Sequence, residues 1–342
     1  MSEPTVIVST SQLVRTLDEL ITDHDTVIVH RHVNPDPDAI GTANGLAHVL
    51  KLSYPDKTVL VAGNDKADNI DVFDLSVDIP EIEYTNTKSL SIIVDTANAD
   101  RIDGPHWNKA TTTVKIDHHP DYDGEHNYAD YNFVNTLASS AAELIVRAVE
   151  MSQLCLDESW TLSTHDNTHA AEALYLGLIG DTGNFTFPNT TENTFRAAAT
   201  LVEAGVNPPD IRAHLTRMDY REYKFLGFVH DNTAFDSGMA YTVITDDVLK
   251  KYNITAEQAH KYVNTARNII GVHAWAFFIE DTDKGYFRTS LRSHKAVIND
   301  LAAKYNGGGH PCAAGCRVQA GADIPVFLDE LRKIVLDYVC TL

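Results

Sequence analysis

The chain has 342 residues, 44% hydrophobic and 22% charged, with a formal net charge of −21. One hydrophobic core rarely organises that length, so two domains are expected. The acidity excludes a protein that grips long duplex DNA non-specifically, because such binding needs cations against the phosphates. No apolar stretch approaches the roughly 18 residues of a membrane span, so no membrane partner is expected. The N-terminus has no basic stretch followed by a long apolar run, so no secretory leader is expected. Cys340 is third from the end, which is not a prenylation box.

The four cysteines are Cys155, Cys312, Cys316 and Cys340, too few for a disulfide framework. Free thiols fit a reducing cytosol, and a cytoplasmic location is expected. Cys312 and Cys316, with His310 close by, invite a zinc reading. No second pair at zinc-finger spacing joins them, and small buried residues are the expectation.

In chain order, Thr26–His30 is a β-branched run and reads as a strand. Asp38 to Leu52 reads as a helix, with Ile40, Ala43, Leu46, Ala47 and Leu50 at helical spacing. Strands follow at Lys57–Ala62, Ser89–Val94 and Thr112–Ile116. Helices are predicted over Ser139–Met151, Thr168–Ile179 and Asn193–Ala204. This alternation predicts an α/β domain with a parallel sheet and helices on both faces. Pro208-Pro209 breaks the pattern and marks a boundary. Asp210 to about Phe228 reads as helical and connecting. Strands are then predicted at Met239–Ile244, His273–Ile279, Tyr286–Leu291 and Ala313–Val318. Helices are predicted at Ala256–Ala266, Lys295–Tyr305 and Pro325–Tyr338, enough for a smaller mixed α/β domain. The expected division is 1–206, a helical linker over 207–230, and 231–342.

Acids and histidines gather where these strands end. The first strand runs into His32, Asp36 and Asp38. The third stops at Asp95 and the fourth at Asp117-His118-His119. Asp181 closes an apolar helix. Ligands of open parallel sheets sit beyond the carboxyl ends of the strands, so these groups are expected to converge. Imidazoles among carboxylates suit Mn²⁺ best, with Fe²⁺, Co²⁺, Zn²⁺ or Mg²⁺ also compatible. One carboxylate between two cations could bridge them, as two-metal phosphoester hydrolysis requires. Taken singly, each acid also reads as a turn residue or helix cap. Asp36 and Asp38 around Pro37 could form a turn into a helix capped by Asp38, and Asp181 an Asx-turn.

At these residues the chain resembles the DHH phosphoesterase family. His32-Val33-Asn34-Pro35-Asp36-Pro37-Asp38 is similar to its first motif, Val94-Asp95-Thr96 to its second, Asp117-His118-His119 to its third and Gly180-Asp181-Thr182-Gly183 to its fourth. Ala138-Ser139-Ser140, opening a helix, is also family-like. In the second half, Ser290-Leu291-Arg292-Ser293, Leu301–Tyr305 and Gly307-Gly308-Gly309-His310-Pro311 resemble the family's associated C-terminal substrate domain.

The resemblance implies a parallel-sheet catalytic domain, a smaller mixed α/β substrate domain and an active site in the cleft between them. It implies two Mn²⁺ ions. His32 and Asp36 would hold one, Asp38, His118 and Asp181 the other, and Asp95 would bridge them. Asp117 would orient the site or add a ligand, and His119 would face the scissile phosphate. Arg292 and His310 would clamp a phosphate over a nest of backbone N–H groups at Gly307, Gly308 and Gly309, with Arg267 as an auxiliary.

The two-domain form resembles the oligoribonuclease/PAP phosphatase group of that family. The expected substrate is therefore short RNA or a nucleotide: hydrolysis of oligoribonucleotides to 5′-mononucleotides, and of pAp to AMP. A cyclic di-AMP or pApA phosphodiesterase is the closest rival. A non-catalytic nucleotide-binding regulator is the rival from another class. A homodimer is expected from the prevalence of symmetric pairs.

Overall fold

The computed structural model describes residues 4–66, 70, 73–85, 88–120, 127–319 and 323–341. The chain divides into two units, Met1–Arg217 and Met218–Leu342. The division falls inside the stretch expected as a linker. That stretch forms two helices rather than one, because Asp219 starts a new helix by accepting from the N–H groups of Arg221 and Glu222.

The first unit comprises β1 (Thr5–Val6), α1 (Thr10–Asp23), β2 (Thr26–His30), α2 (Pro37–Ser53), β3 (Thr58–Val61), α3 (Glu81–Thr85) and β4 (Ser89–Val94). It continues with β5 (Thr112–Asp117), β6 (Tyr131–Val134), α4 (Ala141–Cys155), α5 (His169–Asp181), α6 (Glu192–Glu203) and α7 (Pro208–Thr216). The six strands are all parallel, in the order β1-β6-β5-β4-β2-β3. The chain steps from β2 outward to β3 and then back across to β4. The sheet therefore has its topological switch point between β2 and β4, the place where parallel sheets bind ligands.

Strand side chains of one face, among them Val27, Val29, Ile92, Val94, Val114 and Ile116, share a core with α1, α2, α4 and α5. Ile28 on the other face packs with Ala62, Ile79 and Tyr84 of α3. The helical cover is thus uneven, with the long helices on one side and short elements on the other. Helix α1 and strands β1 and β6 are not among the elements expected from the sequence. Helix α1 carries its own signal, an N-cap at Ser9 and buried Leu13, Val14, Leu17 and Ile21 at helical spacing. Strands β1 and β6 are short and pair only with each other and β5, so nothing local marks them.

The second unit comprises α8 (Tyr220–Asn232), β7 (Ala234–Asp236), β8 (Met239–Ile244), α9 (Asp246–Tyr252), α10 (Ala256–His260), β9 (Ala274–Asp281) and β10 (Tyr286–Ser293). It ends with α11 (Asn299–Lys304), β11 (Gly308–His310), β12 (Ala313–Gln319) and α12 (Asp323–Val339). Its sheet order is β11-β12-β10-β9-β8-β7, antiparallel except for β8 beside β9. The helix expected over Ala256–Ala266 stops at His260. Val263, Asn264 and Thr265 favour other conformations, and the chain continues in i→i+3 turns. The Gly307–Gly309 run is not an open loop. Gly308–His310 pairs antiparallel with Ala313–Gly315 as an edge strand. Cys316 is buried in this unit's core. Among the described residues, no helix is long and apolar enough to cross a membrane.

Candidate metal centre

Each candidate acid is placed by an element boundary. β2 leads into His32, whose Nδ1 lies 2.8 Å from the Val33 carbonyl. That carbonyl can only accept, so Nδ1 carries the proton and Nε2 presents its lone pair. Nε2 points at Asp36 Oδ2 and Asp95 Oδ2, both at 3.6 Å. Asp36, not Asp38, caps α2: its Oδ1 accepts from the N–H groups of Asp38 and Ala39 at 3.0 Å, with Pro37 at the first helical position. Asp38 therefore sits inside the helix and points away to α4. Its Oδ2 accepts from Ala141 N at 2.7 Å, and its Oδ1 from Ala142 N at 3.1 Å and the Thr42 hydroxyl at 2.8 Å. The positive end of α4 thus cradles a fully buried carboxylate.

Asp95 follows β4 and Asp117 ends β5. His118 Nε2 lies 3.2 Å from Asp181 Oδ2, 3.3 Å from Asp95 Oδ1 and 3.8 Å from Asp38 Oδ2. Among the described residues, three sets emerge whose donor atoms lie within 4.8 Å of one another: His32, Asp36 and Asp95; Asp38, His118 and Asp181; and Asp95, His118 and His119. Asp95 belongs to the first and third, and it joins the second through His118. Asp117 stands apart from all three. Its Oδ1 accepts from the N–H groups of His118 and His119 and from His119 Nδ1, the last at 2.8 Å. Its Oδ2 lies 3.2 Å from Lys115 Nζ, with both side chains wholly buried.

The donor chemistry fits a cation. Asp95 Oδ1 and His118 Nε2 are buried, and their 3.3 Å contact lacks the alignment of a hydrogen bond, a cost that coordination would remove. Burial and the charges of Asp181 and Asp36 push Asp38 up to about 7, against the pull of His118 and Thr42. Burial and the charge of Asp38 raise Asp95 well above the usual carboxylate range. Burial opposes protonation of His118, but Asp181 and Asp95 outweigh it and push its pKa up to about 12. In Asp117, burial is outweighed by the contact with His119 and the charge of Lys115, which hold its carboxyl far below the usual range. Like charges packed this tightly are stable together only with positive charge between them.

The second unit carries an open cleft of about 640 Å³ lined by Arg292, Gly307, Gly308, Gly309 and His310, together with His260, Arg288 and Arg317. Arg292 is half-buried, and its guanidinium donates to the carbonyls of Leu291 and Ala314. Gly307 lies against the Gly315 carbonyl and Cys316, where a Cβ would not fit. Arg267 does not line this cleft, and its carbonyl accepts from His294.

Residues 26–178 match the N-terminal domain of the DHH family, and residues 236–337 match the DHHA1 domain. The chain is 37% identical, over 96% of its length and 99% of the relative's, to the bifunctional oligoribonuclease and PAP phosphatase NrnA of Bacillus subtilis. The chain belongs to the DHH family. As a DHH phosphoesterase it is a metal-dependent hydrolase of phosphate esters. A probable NrnA of Streptococcus mutans is 35% identical over 91% of this chain and 96% of its own. An exopolyphosphatase-related protein from Bacteroides fragilis shares the fold, with a TM-score of 0.78 at 23% identity over 95% of this chain and 96% of that one.

Around this DHH centre, sequence reading missed the residues that hold the candidate ligands. Thr42 and the first N–H groups of α4 fix Asp38. Lys115 fixes Asp117 and also donates to the Ala97 carbonyl at 2.8 Å, tying together the ends of β4 and β5. Asn189 donates to the carbonyls of Ser139 and Asp181. Lys115 alone had a legible signal, a cation two residues before Asp117 in an otherwise uncharged strand.

Proposed function

We propose that this chain is a Mn²⁺-dependent phosphoesterase that hydrolyses short oligoribonucleotides to 5′-mononucleotides and converts pAp to AMP. The observation that carries the reading is the convergence of imidazoles and carboxylates around Asp95. Full-length similarity to proteins named oligoribonuclease and PAP phosphatase supports the substrate class. In this reading His32 and Asp36 hold one ion, Asp38, His118 and Asp181 hold the other, and Asp95 lies between. The donor set suits Mn²⁺, with Mg²⁺, Co²⁺ or Fe²⁺ as substitutes. When bound, the two cations supply Lewis acidity toward the phosphate and make water a competent nucleophile at neutral pH.

The protein's own groups do the rest. Asp117, held ionised beside Lys115, accepts a hydrogen bond from His119 Nδ1–H. This leaves His119 Nε2 to meet the reacting phosphate or the leaving oxygen. Arg292, His310 and the glycines Gly307, Gly308 and Gly309 bind a substrate phosphate in the cleft of the second unit, with Arg267 as an auxiliary outside its lining. The cysteines described are unpaired, which supports a reducing compartment, and we place the enzyme in the cytoplasm.

The test is a panel of di- to pentaribonucleotides, pAp, pApA and cyclic di-AMP, each with Mn²⁺ and again with chelator. Turnover of short RNA and pAp, abolished by chelator, is the expected result. Turnover of cyclic di-AMP far above that of short RNA would overturn the reading.

A further inference from the structure

The basic cleft of the second unit extends well beyond Arg292. Side chains alternate along a strand, so Arg288, Ser290 and Arg292 share one face of β10. In the antiparallel register with β12, Arg317 stands directly opposite Arg288. Like charges in that position repel, and each arginine lowers the stability that the other contributes. Both are exposed, and both line the same cleft as Arg292.

Arg288 makes an ion pair with Glu257 at 3.7 Å, in which Glu257 is 75% exposed. A pair that open is worth little and yields readily to a stronger anion. The Arg317 guanidinium lies 5.7 Å from the centre of the Tyr286 ring, at the far end of the cleft. His260 sits midway, with Nε2 2.9 Å from the Ser290 hydroxyl. His260, Arg288 and Arg292 all line this one cleft. In a chain of net charge −21, this face reverses the prevailing sign. A cross-strand arginine pair at such a place is better explained by an anion between the guanidinium groups than by stability.

We propose that Arg288 and Arg317 form a second phosphate subsite, which takes an internal phosphate of an oligoribonucleotide whose terminal phosphate rests at Arg292 and the glycine strand. Arg288 lies four residues from Arg292, roughly 13 Å along the strand. That span exceeds the separation of neighbouring phosphates on one nucleotide. The subsite therefore engages oligomers and leaves pAp untouched. The planar forks of two arginines suit a non-bridging phosphate oxygen pair. The inference rests on the substrate class proposed above.

The test uses Arg288→Gln, Arg317→Gln and the double variant of the full chain, loaded with Mn²⁺. The double variant is expected to raise KM for a tetraribonucleotide about tenfold. Its kcat, and its KM for pAp, should stay within about twofold of the parent. Tetranucleotide binding is also measured with chelator present, where nothing is hydrolysed. There the slope of log affinity against log salt should flatten by about 0.7 for each phosphate that is no longer neutralised. An unchanged KM and salt slope would overturn the subsite, as would equal weakening toward pAp and the tetranucleotide. If the parent binds the tetranucleotide but hydrolyses none of the RNA panel, the proposed activity fails while the slope comparison still decides the subsite.

Discussion

Asp95 follows β4 with a φ of 50°, in the left-handed region that alanine adopts poorly and asparagine tolerates. Asp95→Asn therefore removes charge while sparing the backbone. Asp95 is buried among other carboxylates and raised by their field, so the metal-free variant should melt no lower than the parent. Its activity should fall more than about 100-fold, since even outer partners of a metal site cost that much. The increment in Tm that Mn²⁺ confers should also shrink, because binding the folded state is what raises Tm. Thermal melts with Mn²⁺ and with chelator read both. A variant that keeps the full Mn²⁺ increment would remove Asp95 from the shared position. Asp38 illustrates a different residue-scale lesson. By spacing it resembles a cap for its own helix; in the structure it caps the N-terminus of α4, with Asp36 taking the local role.

Helices α2 and α5 bring Asp38 and Asp181 toward the same imidazole, and small residues let them do so. A Cβ on Gly177 would lie 2.8 Å from both Ala142 Cβ and Asp38 Oδ1, and one on Gly41 would meet the backbone of Ala173 and Gly177. Gly177→Ala should therefore push α5 away from α2 and α4, at a cost of about 1–3 kcal/mol from overpacking. It should weaken Mn²⁺ binding at the same time, because Asp38 is one of the residues displaced. Denaturant unfolding and calorimetric Mn²⁺ titration measure the two effects. Loss of stability with unaltered Mn²⁺ affinity would show that the helix crossing supports the fold but not the spacing of the acids. At the sheet edge of the second unit, Gly307 meets the same demand for closeness. It lies against Gly315 and Cys316 of β12.

For the molecule as a whole, 48 acidic side chains face 27 basic ones. Self-repulsion of that size opposes the compact state and is screened by salt. Raising NaCl from about 0.05 to 1 M should stabilise the chelated protein by roughly 1 kcal/mol or more, a rise in Tm of about 2–4 °C. A melt that is flat or falling across that series would mean that the charges are already paired locally. Such pairs are numerous on the surface, as with Arg196–Glu192 and Lys304–Glu330. The basic face of the second unit stands against this background, which is why its arginines carry the substrate-binding proposal.

The parallel sheet, its strand ends and the residues beyond them were legible in the amino-acid order. β2, β4 and β5 are runs rich in β-branched residues that lead to His32, Asp95 and Asp117, and local pattern is enough to find such elements. The partners of those residues were not legible. The N–H groups of Ala141 and Ala142 reach Asp38 across 103 and 104 positions of chain, and Asn189 reaches Asp181 through its backbone. No spacing rule encodes such contacts, because they follow from how helices cross. The same holds for Arg288 and Arg317, which are far apart in sequence and become neighbours through the register of β10 and β12 alone. Sequence supplied the chemical groups and the ends of the strands; packing chose which groups share a hydrogen bond or a charge.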